Sequence, residues 1–185
     1  MKNILFAIVC FAFISSCGRG SGDSTPPETL PPATQTGANT AGCLINGIVH
    51  TPKNPSQPIG GPPIYGLIAN STNNGIYFRI NNYEKNIKLF IYLIDVSGGE
   101  GNYTINQSNG IGTPAGNSDQ NQMYLQYNGK EYISSPNCGI FNLTKYAAPI
   151  RSATFSATLY NKANPSETIQ ITEGRFDINI TTLIK

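Results

Sequence analysis

An all-β fold, an antiparallel β-sandwich of roughly ten short strands, is predicted by three observations. Ala153, Phe155, Ala157 and Leu159 alternate with Thr154, Ser156, Thr158 and Tyr160, the two-residue period of a half-buried strand. Asn46-Gly47 and Asn128-Gly129 each separate two apolar runs by two residues, the pair best suited to a type I′ hairpin turn. Charged residues make up only 12% of the 185 while there are 19 glycines and 13 prolines, a composition that favours short strands and many turns over helices. A closed, lipocalin-like β-barrel satisfies the same pattern, because sandwich and barrel both bury one face of each strand.

The elements follow in order. Cys43-Leu44-Ile45 and Ile48 to Thr51 form the first hairpin around Asn46-Gly47. A Pro- and Gly-rich loop, 52–63, leads to a strand from Ile64 to Ala69, and Asn73-Asn74-Gly75 turns into Ile76 to Ile80. In Ile87 to Ile94 the odd positions are all aliphatic and the even face also becomes apolar, which predicts a central strand buried on both sides. Tyr103 to Ile105 is a short strand, and residues 106–122 form the longest polar loop. Met123 to Tyr127 and Lys130 to Ser134 flank the second hairpin turn, and Gly139 to Tyr146 is another strand. Ile169 and Ile171, then Phe176, Ile178 and Ile180, close the sheet. The domain is placed at 43–185.

Ahead of it, Lys2 supplies a positive charge, Ile4 to Ile14 is an apolar run, and Ser15, Ser16 and Cys17 are small, the pattern of an export signal over 1–16. The run is shorter than the roughly 20 residues that cross a bilayer. Ile14-Ser15-Ser16-Cys17 resembles the lipobox of bacterial lipoproteins. That resemblance implies cleavage before Cys17, lipidation of its thiol and acylation of its amine, with several acyl chains (palmitate among them) enough for stable membrane anchoring. No Asp follows Cys17, so the resemblance implies the outer membrane, with the periplasmic or extracellular face left open. Residues 17–42 read as the lipidated N-terminus and a tether: 18–40 carry Leu30 as their one large apolar side chain, and 23 such residues reach about 70 Å when extended.

Leu30-Pro31-Pro32-Ala33-Thr34-Gln35-Thr36-Gly37-Ala38-Asn39-Thr40-Ala41-Gly42-Cys43-Leu44-Ile45-Asn46-Gly47 resembles the opening signature L-P-P-x-T-x-x-G-x-N-T-x-G-C-x-x-N-G of a family of uncharacterised Bacteroidetes lipoproteins. Gly174-Arg175-Phe176-Asp177-Ile178 resembles the closing G-R-F-D-I of the same family, so the two segments bracket nearly the whole mature chain. Ala41 departs from the bulky aromatic expected before Gly-Cys. The resemblance carries location and extent but no activity, and it implies that residues 30–42 can dock on the domain.

Few residues invite chemistry. With Cys10 in the leader and Cys17 lipidated, Cys43 and Cys138 are left as a disulfide pair in an oxidising compartment, closing a loop of about 95 residues for roughly 4–5 kcal/mol. Two cysteines and the single His50 are too few for a structural zinc, so no metal and no cofactor is expected. His50 reads as a surface or structural residue, and no Gly-x-Ser-x-Gly elbow accompanies it. Arg175 and Asp177 share a face and read as a surface ion pair. Ten tyrosines without tryptophan leave a glycan-binding surface open, best placed at Tyr124, Tyr127 and Tyr132 with the 106–122 loop, although strand rims and core would also use them. Removing Lys2 from 12 basic residues leaves 11 against 10 acids, no footprint for nucleic acid. The sum is a non-enzymatic binding or interaction module of the cell envelope, its partners the membrane through its lipid and a glycan or envelope protein. A glycan-processing enzyme using loop carboxylates and a purely structural envelope component are the alternatives.

Overall fold

The computed structural model describes residues 28–57, 59–72, 75–113 and 119–183. The leader over 1–16, Cys17, the first part of the tether and the Asn73-Asn74 turn lie outside the described residues. Eleven strands and no helix occur among the described residues: β1 (Thr40–Ile45), β2 (Ile48–His50), β3 (Leu67–Thr72), β4 (Gly75–Asn82), β5 (Ile87–Ile94), β6 (Gly101–Ile105), β7 (Gln122–Tyr127), β8 (Lys130–Ile133), β9 (Gly139–Ala147), β10 (Ile150–Asn161) and β11 (Thr168–Asn179). Both Asn-Gly hairpins form as the sequence predicts, with φ of 47° and 79° at Asn46 and Gly47 and of 50° and 73° at Asn128 and Gly129. Positive φ at both turn residues matches the twist of the strands they join.

The strands belong to one antiparallel sheet in the order β2-β1-β11-β10-β8-β7-β5-β4-β3, and β10 forks to carry β9 and β6 on its first half. The sheet curls, so the two layers expected of a sandwich are opposite walls of a single barrel-like sheet. Its ends are stitched just beyond β2. His50 Nε2 donates to the Ile80 carbonyl at 2.7 Å, Lys53 N to Asn81 O at 2.9 Å, and Asn82 Nδ2 to Thr51 O at 3.1 Å. A carbonyl can only accept, so Nε2 carries the imidazole proton, and burial lowers the pKa and keeps the ring neutral. His50 is thus a closing strut inside the barrel.

The inner faces supply one core. Phe78 on β4 stacks on Phe176 of β11 with ring centroids 4.2 Å apart, and Phe141 of β9 lies 5.9 Å from Phe78 and 6.1 Å from Phe155 on β10. β5 is central, as its pattern predicts: Leu89, Ile91 and Leu93 are fully buried inward, while Phe90 and Tyr92 are buried on the outer face.

β11 explains a feature that looked like two segments. Its inward residues are Ile169 and Ile171, then Phe176 and Ile178, a change from odd to even positions that an unbroken strand cannot make. The register with both β10 and β1 slips by one residue here, and Glu173 adopts φ 49°, so a bulge absorbs the change. Directly after it, a Cβ on Gly174 would sit 2.2 Å from the Phe155 ring, which the glycine lets lie flat against the strand.

Two expectations need correction. Cys43 and Cys138 are free thiols. Thr158 on β10 donates to the Cys138 carbonyl, Thr158 pairs with Gln170 on β11, and Gln170 meets Asn46 at the end of β1. Cys138 is therefore three strand spacings from β1, about 14 Å, where a disulfide needs Cα atoms within about 7 Å. Burial pushes the Cys43 thiol up to about 12 and raises that of Cys138 too, so both are weak nucleophiles. The second concerns the tether expected from composition; the docking that the resemblance implies for residues 30–42 is what the structure shows. Residues 34–39 lie along the outside of β11 as a strap, Glu28 ahead of them pairs with Lys85, and β1 starts at Thr40, three residues before the expected domain boundary.

Candidate ligand-binding site

The two signature segments meet in space, and their meeting is structural. Asp177 projects from the outer face of β11 and is 1% exposed. Its carboxylate accepts hydrogen bonds from Thr34 Oγ1 (2.6 Å), Thr36 N (2.9 Å) and Oγ1 (3.1 Å), Gly37 N (2.8 Å), Ala38 N (3.2 Å) and Ser152 Oγ (2.8 Å). Burial alone would raise its pKa; the Thr34 and Ser152 hydroxyls and the strap N–H groups override it and hold the carboxyl well below the usual range. Asn39 Oδ1 accepts from Asn179 N at 2.9 Å, fixing the strap where β1 begins. The expected Arg175–Asp177 ion pair is absent, because Asp177 is spent on the strap. Arg175 instead pairs with Glu173 at 3.0 Å and reaches Pro31 O at 3.5 Å.

The predicted tyrosine surface is divided by the sheet. Tyr132 pairs across from the inward Leu125 and is buried in the core, and Tyr127 packs against its edge. Tyr124 pairs with Phe90 on one side and Ile133 on the other and faces outward. Tyr132 donates to Glu167 at 2.7 Å, and Glu167 also accepts from Lys130 at 2.8 Å and Asn161 at 2.8 Å. Lys130, Tyr132 and Asn161 bring the Glu167 carboxyl down to about 2, while burial, then Glu167, pushes the Tyr132 phenol up to about 12. That cluster is a strut between β8 and the β10–β11 turn, its carboxylate engaged by Lys130, Tyr132 and Asn161.

A groove of the outer face that joins cations to rings lies around Tyr124. Arg79 and Asn81 on β4, Lys88 and Phe90 on β5, Tyr124 on β7 and Tyr83 in the β4–β5 turn border a groove of about 250 Å³, rimmed by Gly112 and Thr113 of the polar loop. The loop is drawn over the sheet by Asn109 N donating to Gln122 Oε1 at 2.9 Å and Ser108 N to Ser134 O at 2.9 Å. It rests so closely that a Cβ on Gly112 would stand 2.7 Å from the Tyr124 ring. The Arg79 guanidinium lies 5.5 Å from the Tyr77 ring centre and 6.0 Å from that of Phe90, cation–π distances that hold it in place. Neither Arg79 nor Lys88 has an ion-pair partner among the described residues; Lys53, Lys145 and Arg151 have none either, but none of those three lines this groove. Tyr124 is pushed up to about 12 by burial and by Glu131, so its phenol is neutral at any physiological pH.

Of the three predicted tyrosines the structure brings only Tyr124 into this groove, together with Gly112 and Thr113 of the predicted 106–122 loop. Arg79, Lys88 and Phe90 were not anticipated. Their signal was the outward-facing register of Tyr77, Arg79 and Asn81 with Lys88, Phe90 and Tyr92, a face mixing rings with cations, where the sequence reading saw in β5 only a second apolar side. Chemically the groove can accept an anion at its cations, hydrogen bonds at the Asn81 amide, and the flat face of a ring. The chain matches no known family model, no curated protein and no solved structure.

Proposed function

We propose that this protein is a non-enzymatic binding module of the bacterial cell envelope, anchored in the outer membrane by lipid on Cys17, that holds its ligand in the Arg79–Phe90–Tyr124 groove. The observation that carries the reading is the uncommitted pair of cations, Arg79 and Lys88, set beside aromatic rings in a concave site. Binding is favoured over turnover because the best-placed carboxylates are already engaged. Asp177 holds the strap, Glu167 holds Lys130 and Tyr132, and Glu131 pairs with Lys162 at 3.1 Å.

Membership in the uncharacterised Bacteroidetes lipoprotein family is part of the same proposal. The residues of its opening and closing signatures form one clamp here, a physical reason for two distant segments to travel together. The clamp also suits a tethered protein, since the chain arriving from the membrane is fastened to the sheet before the domain begins. Replacing Cys17 with Ser and fractionating cells tests the anchor: release from the membrane and loss of acyl label are expected, and full retention would contradict it. Crosslinked complexes recovered from intact cells with the wild-type protein and with R79M test the groove; a complex unchanged by R79M would contradict it.

A further inference from the structure

We infer that the groove recognises an acidic saccharide, a sugar ring bearing a carboxylate or sulfate, with the anion at Arg79 and Lys88 and the ring against the tyrosine border. This rests on the binding-module reading above and names its ligand. Arg79 pairs with Phe90 across β4 and β5, and Asn81 with Lys88, so the two cations are diagonal neighbours on one outward face. Diagonal side chains of this kind start about 7–8 Å apart, a spacing that one anionic group or one anionic ring can bridge. Because the Arg79 guanidinium already rests over the Tyr77 and Phe90 rings, part of the cost of ordering it is met before a ligand binds.

The remaining lining chooses among anions. A free phosphate or sulfate needs donors only, but this groove adds the rings of Tyr83 and Tyr124 and the amide of Asn81, whose Nδ2 donates to the Tyr83 hydroxyl at 3.4 Å. Rings stack on the apolar face of a pyranose, and the Asn81 amide and the Thr113 hydroxyl suit hydroxyl groups. A volume of about 250 Å³ equals that of about eight waters at ~30 Å³ each, room for a single sugar ring. Among the described residues no carboxylate lines the groove, and Glu131, which accepts from the Tyr124 hydroxyl beside it, is already paired with Lys162 at 3.1 Å, so the site favours an anion over a cation.

Calorimetric titration of the purified mature chain with trigalacturonic acid, its methyl ester, a sulfated heparin disaccharide and sodium sulfate tests this. The acid is expected to bind at least tenfold more tightly than its methyl ester, and added salt is expected to weaken it. R79M keeps the apolar stem over Tyr77 and Phe90 and is expected to cost about tenfold or more; K88M, at an exposed position, about threefold; both are expected to melt where the wild type does. The heparin disaccharide separates the anions: binding by it alone assigns sulfate, by trigalacturonic acid alone carboxylate. Equal binding of acid and ester, binding unaffected by R79M and K88M, or binding of sodium sulfate as tight as any sugar would each overturn the inference. If no saccharide binds while R79M still abolishes the cellular complex, the ligand class is wrong and the binding module stands.

Discussion

Phe78 and Phe176 stack 4.2 Å apart across the core, one from each wall of the curled sheet. Each is followed by a residue that alternation sends outside: Arg79 after Phe78, Asp177 after Phe176. One stacked pair therefore fixes two outer surfaces that face away from each other. On one wall Asp177 fastens the strap, and on the other Arg79 lies free over its aromatic neighbours.

The clamp is a stability device, and D177N is the direct probe. The amide keeps the shape but loses the charge and sets an NH₂ among donors, so a loss of about 3 kcal/mol is expected in urea unfolding. Linkage fixes the pH sign. The folded pKa lies below the usual carboxylate value, so the contribution is complete above about pH 5 and declines below about pH 4, where the unfolded chain binds a proton that the folded carboxylate still refuses. Wild type should lose stability over that interval more steeply than D177N; parallel curves would contradict the clamp.

Removing the strap should do the same by another route. A mature chain starting at residue 40 lacks Thr34, Thr36 and Gly37 and leaves the Asp177 charge uncovered. Its midpoint in urea should fall well below that of a chain starting at residue 28, and D177N should then add little. Additive losses would show that strap and carboxylate act separately.

Gly174 and Phe155 should behave as one unit. G174A places a methyl where the ring lies and is expected to cost about 1–3 kcal/mol. F155L makes room, so the double variant should recover part of that loss. A G174A protein as stable as wild type would mean the bulge can shift to accommodate it.

The cysteines give a chemical test. Intact mass of the exported protein after alkylation under non-reducing conditions should show two labels once it is unfolded. In the native state Cys138, half-buried, should react slowly and Cys43, fully buried, should not. A mass two hydrogen atoms lighter with no label would restore the disulfide.

The all-β class, both Asn-Gly hairpins and the central place of β5 were legible because turn chemistry and two-residue alternation are local. Apolar content marks residues 18–40 as tether, and only the signature resemblance points to docking of 30–42, because residues 34–38 are held by hydrogen bonds to one carboxylate and not by apolar burial. Cys43 and Cys138 looked like partners because loop closure counts residues and ignores sheet register, which sets them three strands apart. The tyrosines were grouped by closeness to a hairpin, yet Tyr124 pairs with Ile133 while Tyr132 pairs with Leu125, so Tyr124 and Tyr132 face opposite ways. Arg79 was overlooked because a groove made by three strands and a loop has no local sequence sign.

The groove is the centre of the account, and positional photo-crosslinking in intact cells tests it most directly. A photoreactive side chain at Thr113, on the groove rim, is compared with one at Thr154, exposed on β10 in the other wall. An adduct is expected from position 113, lost when R79M is added, and none of that size from position 154. Equal adducts from both positions, or an adduct at 113 that survives R79M, would contradict a ligand held by Arg79.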